Sequence, residues 1–182
     1  MALRMMRHLA LWLCWTSTAF AQSGSLDTSF GTGGVTTVAI GSGPTSAGHA
    51  LAHQSDGKII VAASGNLGGK AAFHVARFNA DGSLDTDFGT GGVTAVVFTP
   101  ASSGAESPTD LVVDALDRVV VAGYAPMAGG KNAALGFAVA RLLPDGDPDT
   151  TFDFDGKVLV GFDRKNAWAY AVALDGDGRT VL

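Results

Sequence analysis

Beyond its first twenty-odd residues the chain sets out its apolar positions in short runs. "KIIVAA" at 58–63, "FHVARF" at 73–78, "RVVVAG" at 118–123 and "FAVARLL" at 137–143 are rich in Val, Ile, Phe and Ala and bounded by Gly, Asp, Asn or Pro. Nothing sustains a 3.6-residue apolar period, so the pattern predicts strands joined by tight turns. In the best-defined stretch the strands are expected at 93–98, 110–114, 118–124 and 136–143. "IIVAA" and "VVVAG" have no polar alternation, which predicts a strand covered on both faces.

The runs recur. "GSLDTSFGTGGV" at 24–35 returns as "GSLDTDFGTGGV" at 82–93 and, altered, as "GDPDTTFDFDGKV" at 146–158. Lys58, Arg118 and Arg179 open one set of matching strands and Phe73 and Phe137 another, at spacings from 58 to 64 residues. Self-similarity at such a period marks a repeat architecture. The units are about 24–81, 82–145 and a partial 146–182. Four antiparallel strands per unit give an all-β fold, a β-propeller-like array of four-stranded antiparallel blades that is incomplete, with two full repeats plus part of a third. On this reading the twelve-residue turn connects blades: Phe30 or Phe88 anchors it, and "GTGGV" launches the next inner strand. The last residues, Val181 and Leu182, fall where "KIIVAA" stands earlier. The expectation is therefore a fragment of a longer array, or an oligomer whose chains together complete a ring.

The turn "GSLDTSFGTGGV", the strand "DGKIIVAA" and the hairpin "ARFNADGSLDT" resemble the delta-60 repeat, a bacterial unit of exported proteins. The resemblance covers the chain after residue 21 and implies a propeller-like architecture without implying a reaction. Two turns depart from it: "LDR" replaces "DGK" at 116–118, and "DFDGKV" replaces "GTGGV" after Phe152.

Residues 1–21 read as a signal peptide, leaving 22–182 as the repeat domain. Arg4 and Arg7 precede the apolar "LALWLCW", and Ala19-Phe20-Ala21 is a small-x-small site, with cleavage expected before Gln22. The apolar stretch is too short to span a bilayer, which needs about 20 residues. The product is expected outside the cytoplasm, periplasmic or extracellular. The only cysteine, Cys14, leaves with the signal, so the domain holds no disulfide. Without Arg4 and Arg7, ten basic residues face seventeen acidic ones, which disfavours nucleic acid and anionic membranes as partners.

Residues that recur at one register are read as scaffold. Arg77 and Arg141 in "VAR", with Asp85 and Asp149 in "DT", are expected to pair as turn braces. His49 and His53 in "HALAH" sit four apart on a predicted strand, roughly 13 Å apart and too far to share a zinc, and are read as partly buried strand histidines. Asp145, Asp147, Asp149, Asp153 and Asp155 crowd one turn whose spacing starts like a calcium loop, but Thr150 and Gly156 stand where Gly and Glu are needed. The "GGK" at 68–70 and 129–131 lacks the rest of a phosphate loop and reads as hairpin tips. Trp168 and Tyr170 share a face, for a cleft or the core. No catalytic, cofactor-binding or metal residue is assigned. The leading expectation is a secreted non-catalytic module for binding or surface display of an unknown extracellular or periplasmic ligand, with no cofactor. One alternative is an exported enzyme with its site in loops or in other blades, with Asp110, His74 and Glu106 as the residues to inspect. The other is a calcium-stabilised adhesive array.

Overall fold

The computed structural model describes residues 24–43, 46–99, 105–127, 133–163 and 165–182. The expected signal peptide and the second "GGK" lie outside them. Every regular element among the described residues is a strand. Strands β1 (Ala47–His53), β2 (Ile59–Leu67), β3 (Lys70–Phe78) and β4 (Val93–Val96) form one antiparallel sheet in that order. Strands β5 (Ser107–Val113), β6 (Val119–Pro126), β7 (Leu135–Leu142) and β8 (Lys157–Val160) form a second with the same plan. Two short strands, β9 (Ala173–Leu174) and β10 (Thr180–Val181), pair beyond it. The all-β, four-stranded antiparallel blade plan expected from the repeats is the one observed.

The strands fall where the apolar runs predict, but their grouping corrects one expectation. The strand that follows "GTGGV" does not open a new blade: β4 pairs back onto β3, with Ala76 opposite Val93 and Phe73 opposite Val96. Gly89, Gly91 and Gly92 take positive φ, and Gly92 N donates to Phe88 O at 2.9 Å, so the chain reverses tightly instead of crossing over. The twelve-residue turn therefore joins the third and fourth strands of one sheet. The next sheet begins with β5 (Ser107–Val113).

The turn nevertheless ties sheets together in space. Gly89 N donates to Asp145 O at 2.7 Å, as Gly31 N does to Asp81 O at 2.7 Å one unit earlier. The Phe88 ring lies under Gly146, where a Cβ would come within 3.0 Å of it. Phe30 lies against Gly82 in the same way. A sequence that must both close its own sheet and seat the next hairpin has little freedom, which explains its near-verbatim repetition.

The expected burial of the "IIVAA" and "VVVAG" strands on both faces holds. Ile60 and Ala62 meet Val119, Val121, Ala138 and Ala140 in the core between the sheets, around the fully buried Phe73 and Phe88. Val120 and Ala122 face Ala169 and Val172 on the far side. Ala63, Ala76 and Phe78 are covered by Ile40 and Val38. Each large side chain so buried contributes about 1.5–3 kcal/mol.

Candidate functional site

The repeated charges are braces. Arg77 Nε donates to Asp85 at 2.7 Å and Arg141 Nε to Asp149 at 2.7 Å, and each guanidinium lies 4.7 Å from a ring centroid, Phe88 and Phe152 respectively. Arg77 also donates to the Pro144 carbonyl of the neighbouring sheet. Asp149 is held below its ordinary pKa first by the Thr151 hydroxyl, then by the Thr151 amide and Arg141, against the opposing effect of burial. For Asp85 burial is the largest influence and acts upward, yet the Asp87 amide and Arg77 bring the carboxyl below its usual value. These groups serve the turn, as their recurrence suggests.

The departure at "LDR" is a cross-sheet clasp. Asp117 takes φ 58° where Gly57 and Gly178 take 84° and 75°. Its carboxylate accepts from Ser55 N at 2.9 Å and Ser55 Oγ at 2.6 Å, and its carbonyl accepts from Gln54 Nε2 at 2.9 Å. Aspartate tolerates the left-handed region better than most residues, and here the side chain has a reason to be there. In the other altered turn Asp153 and Phe154 take positive φ, while Gly156 N still donates to Phe152 O at 2.9 Å. Phe154 stands 92% exposed.

A second kind of cluster lies where the first strands of the two sheets run side by side. The register of β1 slips between Gly48 and Ala50, which makes His49 a bulge residue, and β5 repeats the slip at Thr109. Bulges re-aim side chains, and both of these reach the next unit. Thr109 Oγ1 donates to Ala169 O at 2.5 Å, while His49 Nε2 meets Ser107 Oγ at 3.2 Å and Ser64 Oγ at 2.9 Å. The seam opens into a cleft of about 420 Å³ that also takes in Asn66, Glu106 and Tyr124. Sequence reasoning did not join these groups, because Ser64 and Ser107 lie 15 and 58 residues from His49. Their one legible signal is that the second unit carries Thr109 and Tyr124 at the registers of His49 and Ser64.

Of the residues singled out for an enzymatic reading, none meets another. Glu106 is buried and accepts from the amides of Phe98 and Thr99 at 2.9 and 2.8 Å. Asp110 accepts from Val172 N at 2.9 Å, joining the second sheet to the third unit. His74 sits on β3, buried beside Gly65, and among the described residues neither of its ring nitrogens has a hydrogen-bond partner. His49 and His53 are both exposed rather than partly buried, and the bulge breaks the alternation on which their common face rested. In the acidic turn Asp149 is committed to Arg141, Asp145 Oδ1 accepts from Asp147 N at 3.0 Å and Asp155 pairs with Lys157. Among the described residues no group of three His, Cys, Asp or Glu side chains is placed to hold a metal ion. Gly68 and Gly69 form the β2–β3 hairpin tip. Trp168 and Tyr170 flank the buried Ala169 and are 39% and 75% exposed, so neither is core.

Two stretches, residues 54–88 and 117–152, match the model of a family described as a β-propeller domain of unknown function, DUF5122. Each match runs from the turn before the second strand of a sheet to the anchoring phenylalanine, Phe88 or Phe152. A comparison with curated proteins gives no match. Two stretches similar to one β-propeller model, each carrying the middle two strands of a four-stranded antiparallel sheet and the same Arg–Asp pair, mark this chain as a β-propeller repeat protein.

Proposed function

We propose that the chain is an exported, non-catalytic module of the delta-60 type that binds a ligand at the seam between its first two sheets. The observation that carries this reading is the convergence of His49, Ser64 and Ser107 on one cleft, at positions the repeat itself does not require. The Glu106 carboxylate in the cleft already accepts from the amides of Phe98 and Thr99, and the other polar groups are hydroxyls, an amide and an imidazole beside Tyr124, a set suited to an uncharged, hydroxyl-rich ligand such as a saccharide. Binding without turnover is favoured by the wiring. A serine nucleophile needs a base oriented by a third group, and among the described residues no hydrogen bond reaches the other ring nitrogen of His49. Export is supported by Arg4, Arg7, the apolar stretch and Ala19-Phe20-Ala21.

The test is a saccharide array probed with the labelled protein beside His49→Ala and Ser107→Ala, together with hydrolysis of p-nitrophenyl acetate. Array binding lost in both variants, with no turnover above the variants, supports the module. Turnover that disappears in His49→Ala would assign an esterase-like activity instead. Amino-terminal sequencing of protein secreted by a bacterial host should start at Gln22, and an intact Met1 would refute export by this signal.

A further inference from the structure

The far face of the first sheet differs from its counterpart in the row that crosses β3 at His74. On β2, β3 and β4 the register sets Ala63, His74 and Ala95 side by side. On β6, β7 and β8 the same register holds Gly123, Ala138 and Leu159. In the second sheet Leu159 packs into the inter-sheet core and Lys157 donates its Nζ to Val97 O at 3.1 Å, closing the edge. In the first sheet Ala95 and Val93 take the places of these two long side chains. What opens there is a cleft of about 790 Å³.

The cleft lies between the 38–41 segment and β4, walled by Val38, Leu84, Val93 and Ala95, with His74 on its floor. His74 is 2% exposed, and among the described residues neither of its ring nitrogens has a partner. An imidazole in that state is costly, because buried polar groups are ordinarily hydrogen-bonded. The packing alone does not require it: the second sheet fills the same paired positions with Ala138 and Leu159, which carry no polar atom. Burial also pushes His74 below the ordinary histidine pKa, so the ring is neutral near pH 7 and offers one N–H donor and one acceptor.

We infer that this cleft is a binding site for a small, uncharged, largely apolar molecule bearing one hydrogen-bonding group, which His74 receives. The walls supply apolar contact. The carboxylate at the rim, Asp147, disfavours anions. The imidazole nitrogens are screened from bulk water, so the ligand reaches them by turning the ring about χ2 or by displacing the 38–41 edge outward. This site is separate from the His49 seam and stands whether or not that seam binds a saccharide.

The experiment is a titration of the exported protein, labelled with ¹⁵N and with ¹³C at methyl groups, using cyclohexanol as probe. The His74 ring nitrogens and the Val38, Leu84 and Val93 methyls should shift together and saturably. In His74→Ala, which adopts the residue of the second sheet, affinity should fall about tenfold, the loss of one hydrogen bond. His74→Ala combined with Ala95→Leu rebuilds the Ala138–Leu159 pair and should close the cleft, abolishing the methyl shifts while the circular dichroism melt stays cooperative. Absence of saturable shifts in the wild type would overturn the inference. Equal affinity in the doubly substituted protein would overturn it as well.

Discussion

Replacing Asp149 by alanine tests whether the repeated Arg–Asp brace holds the blade. The residue is 2% exposed and accepts from Thr151 Oγ at 2.6 Å, Thr151 N at 3.0 Å and Arg141 Nε at 2.7 Å. Removing one partner of a buried ion pair costs about 3–5 kcal/mol. Arg141 keeps some compensation, because its side chain is 17% exposed, it still stacks on Phe152 and its Nη2 donates to Thr151 Oγ at 3.0 Å. The low end of that range, about 3 kcal/mol, is therefore expected. With a urea slope of about 1.5–2 kcal/mol per molar, the midpoint should fall by about 1.5–2 M. Trp168, the one tryptophan after residue 21, reports the transition in protein that starts at Gln22. Asp147→Asn, in the same turn but exposed, should stay within about 0.5 kcal/mol of wild type. The pH dependence follows from the sign of the shift. Thr151 and Arg141 lower the folded pKa of Asp149, so its contribution is complete above the unfolded value of about 3.9 and is lost as pH falls through the lower folded value. The gap between wild type and Asp149→Ala should close on acidification. Equal midpoints at neutral pH, or a gap undiminished below about pH 3, would refute the brace.

Three further outcomes follow from the same geometry. Gly146 and Gly24 share a φ near +90°, but a Cβ on Gly146 would lie 2.7 Å from Gly89 N while one on Gly24 meets nothing, so Gly146→Ala should lower the thermal midpoint well beyond Gly24→Ala. Asp117→Ala loses both bonds to Ser55 at an unfavourable φ and should cost about 1–3 kcal/mol by urea titration, whereas Asp117→Gly relieves the backbone and should cost less. Phe88→Ala removes the ring that lies under Arg77 and against Gly146, and a loss of about 3–5 kcal/mol in the same titration is expected.

The chain itself determines its strands, its repeat and its braces, because these rest on local rules. Apolar runs bounded by glycine and aspartate make strands, an unalternating "VVVAG" is buried on both faces, and charges recurring at one register pair with each other. Tertiary structure decides which strands share a sheet. Whether Val93 begins a blade or ends one depends on a choice between two pairing partners, and the tight reversal at 89–92 settles it in favour of β3. It also decides the sites. His49 acquires Ser107 because a bulge turns it toward a strand 58 residues away, and His74 gains a cleft because Val93 and Ala95 stand where Lys157 and Leu159 fill the neighbouring sheet. A linear sequence records each of these residues. Their proximity is a property of stacked sheets, and no local pattern encodes it.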